Sequence, residues 1–420
     1  MNKFLQLFQT PDLRKKILVV AGLLTVFRIF SVIPIPGINL ERLSAFLTQN
    51  QLLGFLNVFS GGALSNLSIV MLGVGPYITA TIIMQLLTMI FPRLKEIYYE
   101  QGEAGRAKFN RLSHYLTVPL AGLQAYGFLN LLISQQVLLP LTTSDLLRNI
   151  ILITAGSVFL MWLGDLITEQ KIGNGISLLI FSGIVSGLPQ TVQSALINYD
   201  PSLLPTYLAF IILSVVVIAG VVFINEGERK IPISYSKRVR GNRIYGGAMS
   251  YLPLRVNQAG VIPIIFAISI LLFPQFLAQI MALVSVDLSI RLNDLVNRFI
   301  ANQVVYSAMY FGLVVLFTYF YTAVTFDPQE ISKNLQRSGG FVPGIRPGQP
   351  TGDFLGRVIN RTTLFGALFL GVIAVLPNLT QILTGIQLLA IGGTALLIVV
   401  SVAIEVMRQI DSQLALREYE

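Results

Sequence analysis

The apolar positions of this chain gather into ten long blocks with polar segments between them: 17–36, 70–91, 113–134, 146–166, 174–194, 203–224, 258–284, 303–326, 359–379 and 382–405. A helix that crosses a bilayer needs roughly 20 apolar residues, so each block predicts one span. The first, from Leu18 to Pro34, has no small-residue cleavage site after it and reads as a span, not a signal peptide. Long polar stretches remain at 92–112, 225–257 and 327–358, none of a length for a second soluble domain. The stretch Ser60 to Pro92 departs from the pattern. It opens with small and polar residues (Gly61, Gly62, Ser65, Asn66, Ser68), breaks at Gly73-Val74-Gly75-Pro76, and then runs apolar to Phe91. A broken helix survives at membrane depth only where protein or water covers its freed backbone groups. The stretch therefore predicts a polar half-helix over about 60–69 and a membrane protein with a wet interior.

Composition agrees: 54% of the 420 residues are hydrophobic and 12% charged, against about 25% charged in soluble domains. Cysteine is absent and His114 is the one histidine, which excludes disulfides, thiolate catalysis and Cys- or His-rich metal sites. The net charge of +9 acquires meaning from its placement. The amino tail (Lys3, Arg14, Lys15, Lys16), five residues of the 92–112 loop, Lys171, seven of the 225–257 loop, five of 327–361, and Arg408 and Arg417 fall on one side. Arg42, Arg148, Arg291 and Arg298 fall on the other. By the positive-inside rule both termini and the three long loops are cytosolic, as an even number of spans requires. Ten spans divide five and five near Tyr199–Pro205, giving halves 1–200 and 201–420. Because five is odd, the halves enter the membrane in opposite senses, the inverted plan of many transport proteins. This symmetry rests on span count, without a residue-level repeat.

Candidate chemistry is sparse. Ile78 and Ile82, four apart, share one helix face just after the polar stretch. Ordinary packing explains most isoleucine pairs, but an aliphatic ring here would constrict a water path and resist ions by dewetting. Gly173-Asn174-Gly175 reads as a tight turn into a span, and Gly183 with Gly187 forms a G-x-x-x-G suited to close helix approach. In the 225–257 loop, Arg and Lys alternate with Tyr235, Tyr245 and Tyr251, which fits a solvated loop or a docking surface for an acidic or RNA-bearing partner. Gly339 to Gly352 is rich in Gly and Pro and presents Arg346 at its centre. Charges within spans are few: Arg28, Asp165 and Glu405, the last two near span ends where snorkelling or capping suffices. Gln85, mid-span, serves either a helix–helix hydrogen bond or a gate. No metalloprotease, nucleophile-elbow or Walker pattern occurs, and Leu163-Gly164-Asp165 lacks a partner aspartate in another span. On residues alone, a polypeptide channel and a secondary transporter with broken helices both stay open, the scarcity of mid-membrane charge weighing against the second.

Seven stretches carry a resemblance: IPIPGIN (33–39), FSGGALSNLSI (59–69), GPYITATIIMQLLT (75–88), GNGISLLIFSGIVSGLP (173–189), YLPLRVNQAGVIP (251–263), FVPGIRPGQPT (341–351) and GGTALLIVVSVAIE (392–405). In this order and spacing the chain resembles the SecY family, the central subunits of bacterial protein-conducting channels. The resemblance implies an all-α polytopic fold with ten transmembrane helices in two inverted five-helix halves around an hourglass pore, with no enzymatic activity and no cofactor. It implies a pore ring of Ile78, Ile82, Ile176, Ile180, Ile265 and Ile398, with Val261 a further candidate. A plug of Gly61, Gly62, Ala63, Leu64, Ser65, Asn66 and Leu67 would pack loosely and move, and Gln85 would lie on the lateral gate. Arg238, Arg240, Arg243, Arg255 and Arg346 would dock a SecA motor or the ribosome. Implied partners are SecE and SecG subunits, signal sequences, nascent polypeptides and membrane lipids. The implied location is the bacterial cytoplasmic (inner) membrane, with the thylakoid open because plastid relatives share these motifs.

Overall fold

A computed structural model describes residues 10–36, 57, 60–99, 101–134, 136–139, 141–197, 204–235, 238–240, 243–245, 249–281, 286–384 and 392–418. Each of the ten expected blocks carries a helix: α1 (Pro11–Phe30), α2 (Gly75–Ile90), α4 (Gly102–Ser134), α5 (Thr143–Glu169), α6 (Gly175–Ile197), α7 (Leu204–Glu226), α8 (Ile262–Met281), α10 (Gln303–Thr325), α12 (Gln349–Thr384) and α13 (Gly392–Glu418). Three further helices, α3 (Pro92–Tyr99), α9 (Val286–Ala301) and α11 (Pro328–Arg337), are too polar to have shown in the apolar pattern. Among the described residues α4, α5, α7, α10 and α12 contain spans long and apolar enough to cross a bilayer, and a sixth is reached if the bent pair α2–α3 counts. The apolar stretches of α6 and α8, Gly175–Pro189 and Ile262–Gln275, are shorter. Residues 37–56, the 198–203 split and the start of the last block at 385–391 lie outside the described residues.

Contacts divide the chain into two units. The first takes 1–207, 268–302 and 402–420, the second 208–267 and 303–401, so the division passes through α7, α8 and α13. In the first unit the core joins α4 and α5 to the segment ahead of α2: Leu64, Leu67, Met71 and Leu72 pack with Ala125, Phe128, Leu129, Leu132 and Ile153, and with Ile35. Small residues permit the contact, since a Cβ on Gly156 of α5 would sit 2.2 Å from the Ile69 carbonyl oxygen. A Cβ on Gly175, at the start of α6, would sit 1.9 Å from the Gly164 carbonyl oxygen. Thr142 caps α5, its hydroxyl accepting from the Asp145 amide at 3.3 Å. Proline at position 92 ends α2, and α3 leaves at 115°. There α3 is clamped to α4: a Cβ on Gly105 would lie 2.0 Å from the Ile97 carbonyl oxygen, and the Tyr98 and Phe109 rings meet at 4.7 Å.

In the second unit α10 lies along α12, with Phe311 seated on Gly371 and the Asn378 amide donating to the Ser307 hydroxyl at 3.2 Å. The charged stretch expected as a loop at 225–257 is instead a β-hairpin. β1 (Glu228–Tyr235) pairs antiparallel with β4 (Met249–Arg255), and β5 (Gly340–Phe341) adds to the other edge, in the order β4-β1-β5. Between them β2 (Arg238–Arg240) pairs with β3 (Arg243–Tyr245). The fold is therefore mostly helical, as expected, with small sheets added at the charged stretch. The sheet forms because Ile231 and Ile233 alternate with outward Lys230 and Pro232, the two-residue period of a strand. Ile231 and Leu254 bury against Val342, Leu355, Val358 and Ile359, so the hairpin and the 327–358 stretch share one core. Asp327 caps α11 through the Gln329 and Glu330 amides at 2.9 and 3.3 Å.

We predict that Leu129→Ala, which empties a fully buried position in the first unit, lowers stability by about 2–5 kcal/mol. The fall would be read as a lower unfolding midpoint of the purified protein in detergent. An unchanged midpoint would show that this core is not what holds residues 60–72 in place.

Candidate functional site

Residues 60–74 are not the expected half-helix but a run of tight turns. Gly61, Gly62, Leu67 and Gly73 all have positive φ (70°, 80°, 40° and 58°), and four such residues in fifteen cannot propagate a right-handed helix. The expectation of loose packing is also corrected, for Ala63, Leu64, Leu67, Ser68 and Val70 are buried, and only Ser65 and Asn66 are exposed. Backbone bonds stitch the run to the chain just beyond α1: Ile35 N–H donates to the Leu67 carbonyl at 2.9 Å and Ile69 N–H to the Ile33 carbonyl at 3.0 Å, around a Pro34–Ser68 bridge. Asn57 Oδ1 accepts from the Ser65 amide at 2.9 Å.

Two residues outside the predicted site complete it. Arg28, the charge inside the first span, donates from Nη1 to the Gly61 carbonyl oxygen. Gly183 of α6 meets the same glycine, since a Cβ on it would lie 2.1 Å from Gly61 Cα. The rarity of charge in spans marked Arg28, and the G-x-x-x-G marked Gly183. The close approach is backbone to backbone with the turn segment, however, and Gly187 has nothing within 4 Å of its would-be Cβ. Asp165 does not simply cap: its Oδ2 lies 3.3 Å from His114 Nε2, whose ring stands 5.7 Å from that of Tyr77.

Of the expected ring, Ile78, Ile82, Ile176 and Ile180 belong to the first unit, Ile265 and Ile398 to the second. Ile78 and Ile82 are buried on α2, one turn apart. Ile176 rests its Cδ1 over Gly164 of α5, and Ile180 is buried one turn on. In the second unit Ile265, Ile398 and Val261 are buried at the starts of α8 and α13. Gln85 is buried on α2, and its Oε1 has no hydrogen-bond partner among the described residues.

Of the docking candidates, Arg238, Arg240 and Arg243 lie on β2 and β3, with Arg240 paired to Arg243 in register. Arg255 lies on β4 opposite Glu228, its Nε 3.9 Å from Glu228 Oε1. Arg346 is exposed in a loop braced from below: its carbonyl accepts from the Thr351 hydroxyl at 2.8 Å, and the Ser332 hydroxyl donates to the Gly348 carbonyl at 2.5 Å. Gly344 and Gly348 at φ 82° and 93° supply conformations a side-chain-bearing residue would resist.

The SecY family profile matches residues 68–407. Among curated relatives, the "Protein translocase subunit SecY" of Corynebacterium glutamicum is 43% identical over 441 residues, covering 100% of this chain and 99% of that one. That of Mycobacterium tuberculosis is 41% identical over 443 residues with the same coverage. Among solved structures, a protein-conducting channel superposes with TM-score 0.63 at 20% identity, covering 93% of this chain and 90% of that chain. The canine Sec61 of a ribosome-channel complex from the endoplasmic reticulum gives 0.61 at 20% identity with the same coverage.

Gly183→Leu is expected to lift residues 61–67 off α6, because a side chain there collides with backbone. The chain lacks cysteine, so Ala63→Cys, at a fully buried position, gives a clean reporter. Its thiol should react with a polar maleimide much faster in the Gly183→Leu background. Equal rates in both backgrounds would mean that the segment is seated without α6.

Proposed function

The chain belongs to the SecY family, and from that premise we propose how its parts divide the work of a protein-conducting channel. As a SecY protein it is the channel subunit of the Sec translocon, a multi-pass membrane protein and not an enzyme, which removes the solute-carrier alternative. Residues 60–69 act as the plug. Ile78, Ile82, Ile176, Ile180, Ile265 and Ile398 form the constriction, and Gln85 lies on the gate through which hydrophobic segments leave sideways into lipid. The observation that carries this division is the continuity of the turn run 60–74 with α2, the helix of Ile78 and Ile82.

Physically, an apolar ring offers few specific contacts and so accepts any passing side chain while resisting ions by dewetting. A hydrophobic signal segment gains burial by partitioning into the bilayer, so one pore both secretes and inserts. The driving force comes from outside, since the chain carries no Walker loop. The β2–β3 pair and the Arg346 loop are basic, and we assign to them the docking of a SecA motor or the ribosome. The ribosome assignment draws support from the Sec61 relative captured in a ribosome-channel complex. SecE and SecG complete the translocon in the bacterial inner membrane, with both termini cytosolic.

The test is photocrosslinking from Ile82 and Ile265 to a stalled secretory chain in membrane vesicles, with adducts expected from both and lost when the signal sequence is deleted. No adduct from either position, with partners still bound, would overturn the constriction. Ile265→Asn or Ile398→Asn should raise ion leak and pass defective signal sequences. Arg346→Glu should cripple partner-driven transport while the channel still inserts normally, and normal transport by that variant would remove Arg346 from docking.

A further inference from the structure

The base of the cytosolic hairpin does not end at its last strand pair. Beyond Glu228–Arg255, the Val256 amide donates to the Gly227 carbonyl at 2.9 Å. One step further, side chains take over: Asn257 Nδ2 donates to Asn225 Oδ1 at 2.8 Å, and Asn225 Nδ2 donates to the Ser401 hydroxyl at 2.7 Å. Asn257 Nδ2 also reaches the Gly260 carbonyl at 3.2 Å, in the turn that starts α8. From the other side α12 presses in, where a Cβ on Gly366 would lie 2.7 Å from the Val256 carbonyl oxygen. All of these residues belong to the second unit.

The chain of amides thus joins two helix ends to a point within a third helix. Asn225 closes α7 at the foot of the hairpin. Asn257 and Gly260 set the entry of α8, which carries Ile265 in its first turn. Ser401 lies one turn after Ile398 on α13. Asn257 is buried and its Oδ1 has no hydrogen-bond partner among the described residues. A part-buried network whose one buried member is left an acceptor short is poorly suited to pure stabilisation, because an apolar residue of the same shape at that position would cost less desolvation. Such a network suits an element that exchanges partners between two arrangements.

We propose that Asn225, Asn257 and Ser401 are positioning residues that couple the cytosolic hairpin to the two constriction helices of the second unit, so that a load on the hairpin moves Ile265 and Ile398 together. The proposal rests on the channel reading above and adds the route by which docking reaches the constriction. Loss of one neutral hydrogen bond shifts a two-state equilibrium by about three- to tenfold. Asn257→Leu keeps side-chain size and removes the link.

The experiment uses the complete translocon in proteoliposomes, with the SecA motor and a precursor as the probe and two readouts, motor affinity and chloride conductance. The expected result for Asn257→Leu is motor binding unchanged within about twofold, basal conductance raised about three- to tenfold, and most of the motor-triggered increment lost. Ser401→Ala should show the same direction at smaller size and serves if Asn257→Leu fails to accumulate. Ser401→Thr, which keeps the hydroxyl, should behave as the native protein. Unchanged conductance in Asn257→Leu and Ser401→Ala overturns the proposal, as does equal loss of binding and opening, which would place the residues in the docking surface itself. Ile265→Asn is measured alongside: if it too leaves conductance unchanged, the constriction reading has failed, whereas a leaky Ile265→Asn beside a tight Asn257→Leu condemns the coupling alone.

Discussion

A backbone amide or carbonyl without a partner costs several kcal/mol in hydrocarbon, and the rest of this structure follows from how residues 60–74 meet that constraint. They cannot be a helix, because left-handed residues interrupt them, and they cannot face lipid. They are admitted by being enclosed. Pairing with 33–35, the Arg28 guanidinium on the Gly61 carbonyl, and glycines 156 and 183 on the flanking helices supply the cover. The same enclosure places α2, and with it Ile78 and Ile82, directly after a segment tied to its surroundings by backbone bonds.

Much of this was legible in the sequence for a physical reason. Ten apolar blocks had to be helices, since lipid leaves the backbone no other option, and helices stand at all ten. The Ser60–Pro92 anomaly was legible as a break, but not as its form: composition shows that a helix fails without showing which turns replace it. Tight seating was illegible because burial of Leu64 and Leu67 depends on Phe128, Leu129 and Ile153, distant in the chain. Arg28 and Gly183 were visible as oddities, yet their common target, Gly61, belongs to neither one's helix. The hairpin was hidden by its charge, for the Ile231–Ile233 alternation spans too few residues to stand out among seven basic ones.

The sheeted region obeys a different constraint. The sheet, α11 and the start of α12 share a small core around Ile231, Leu254 and Leu355, against which Ile345 seats the Arg346 loop. Flexible loops would absorb a push from a bound partner; a mount with a core passes it on. Among the described residues the amide chain at the foot of the hairpin, α10 and α12 all run from this core toward the apolar helices.

The sharp turn between α2 and α3 has one more consequence. A rod that crosses a membrane can slide along its own axis, and a few ångströms of such travel would carry any ring of side chains out of level. Here the rod ends in a collar set at 115° to it, and the collar is bolted to α4 through Gly105 and the Tyr98–Phe109 ring pair. Sliding of α2 along its axis would have to break these contacts with α4, so the collar resists it. The collar thus sets the axial position of α2, and with it that of Ile78 and Ile82, against α4.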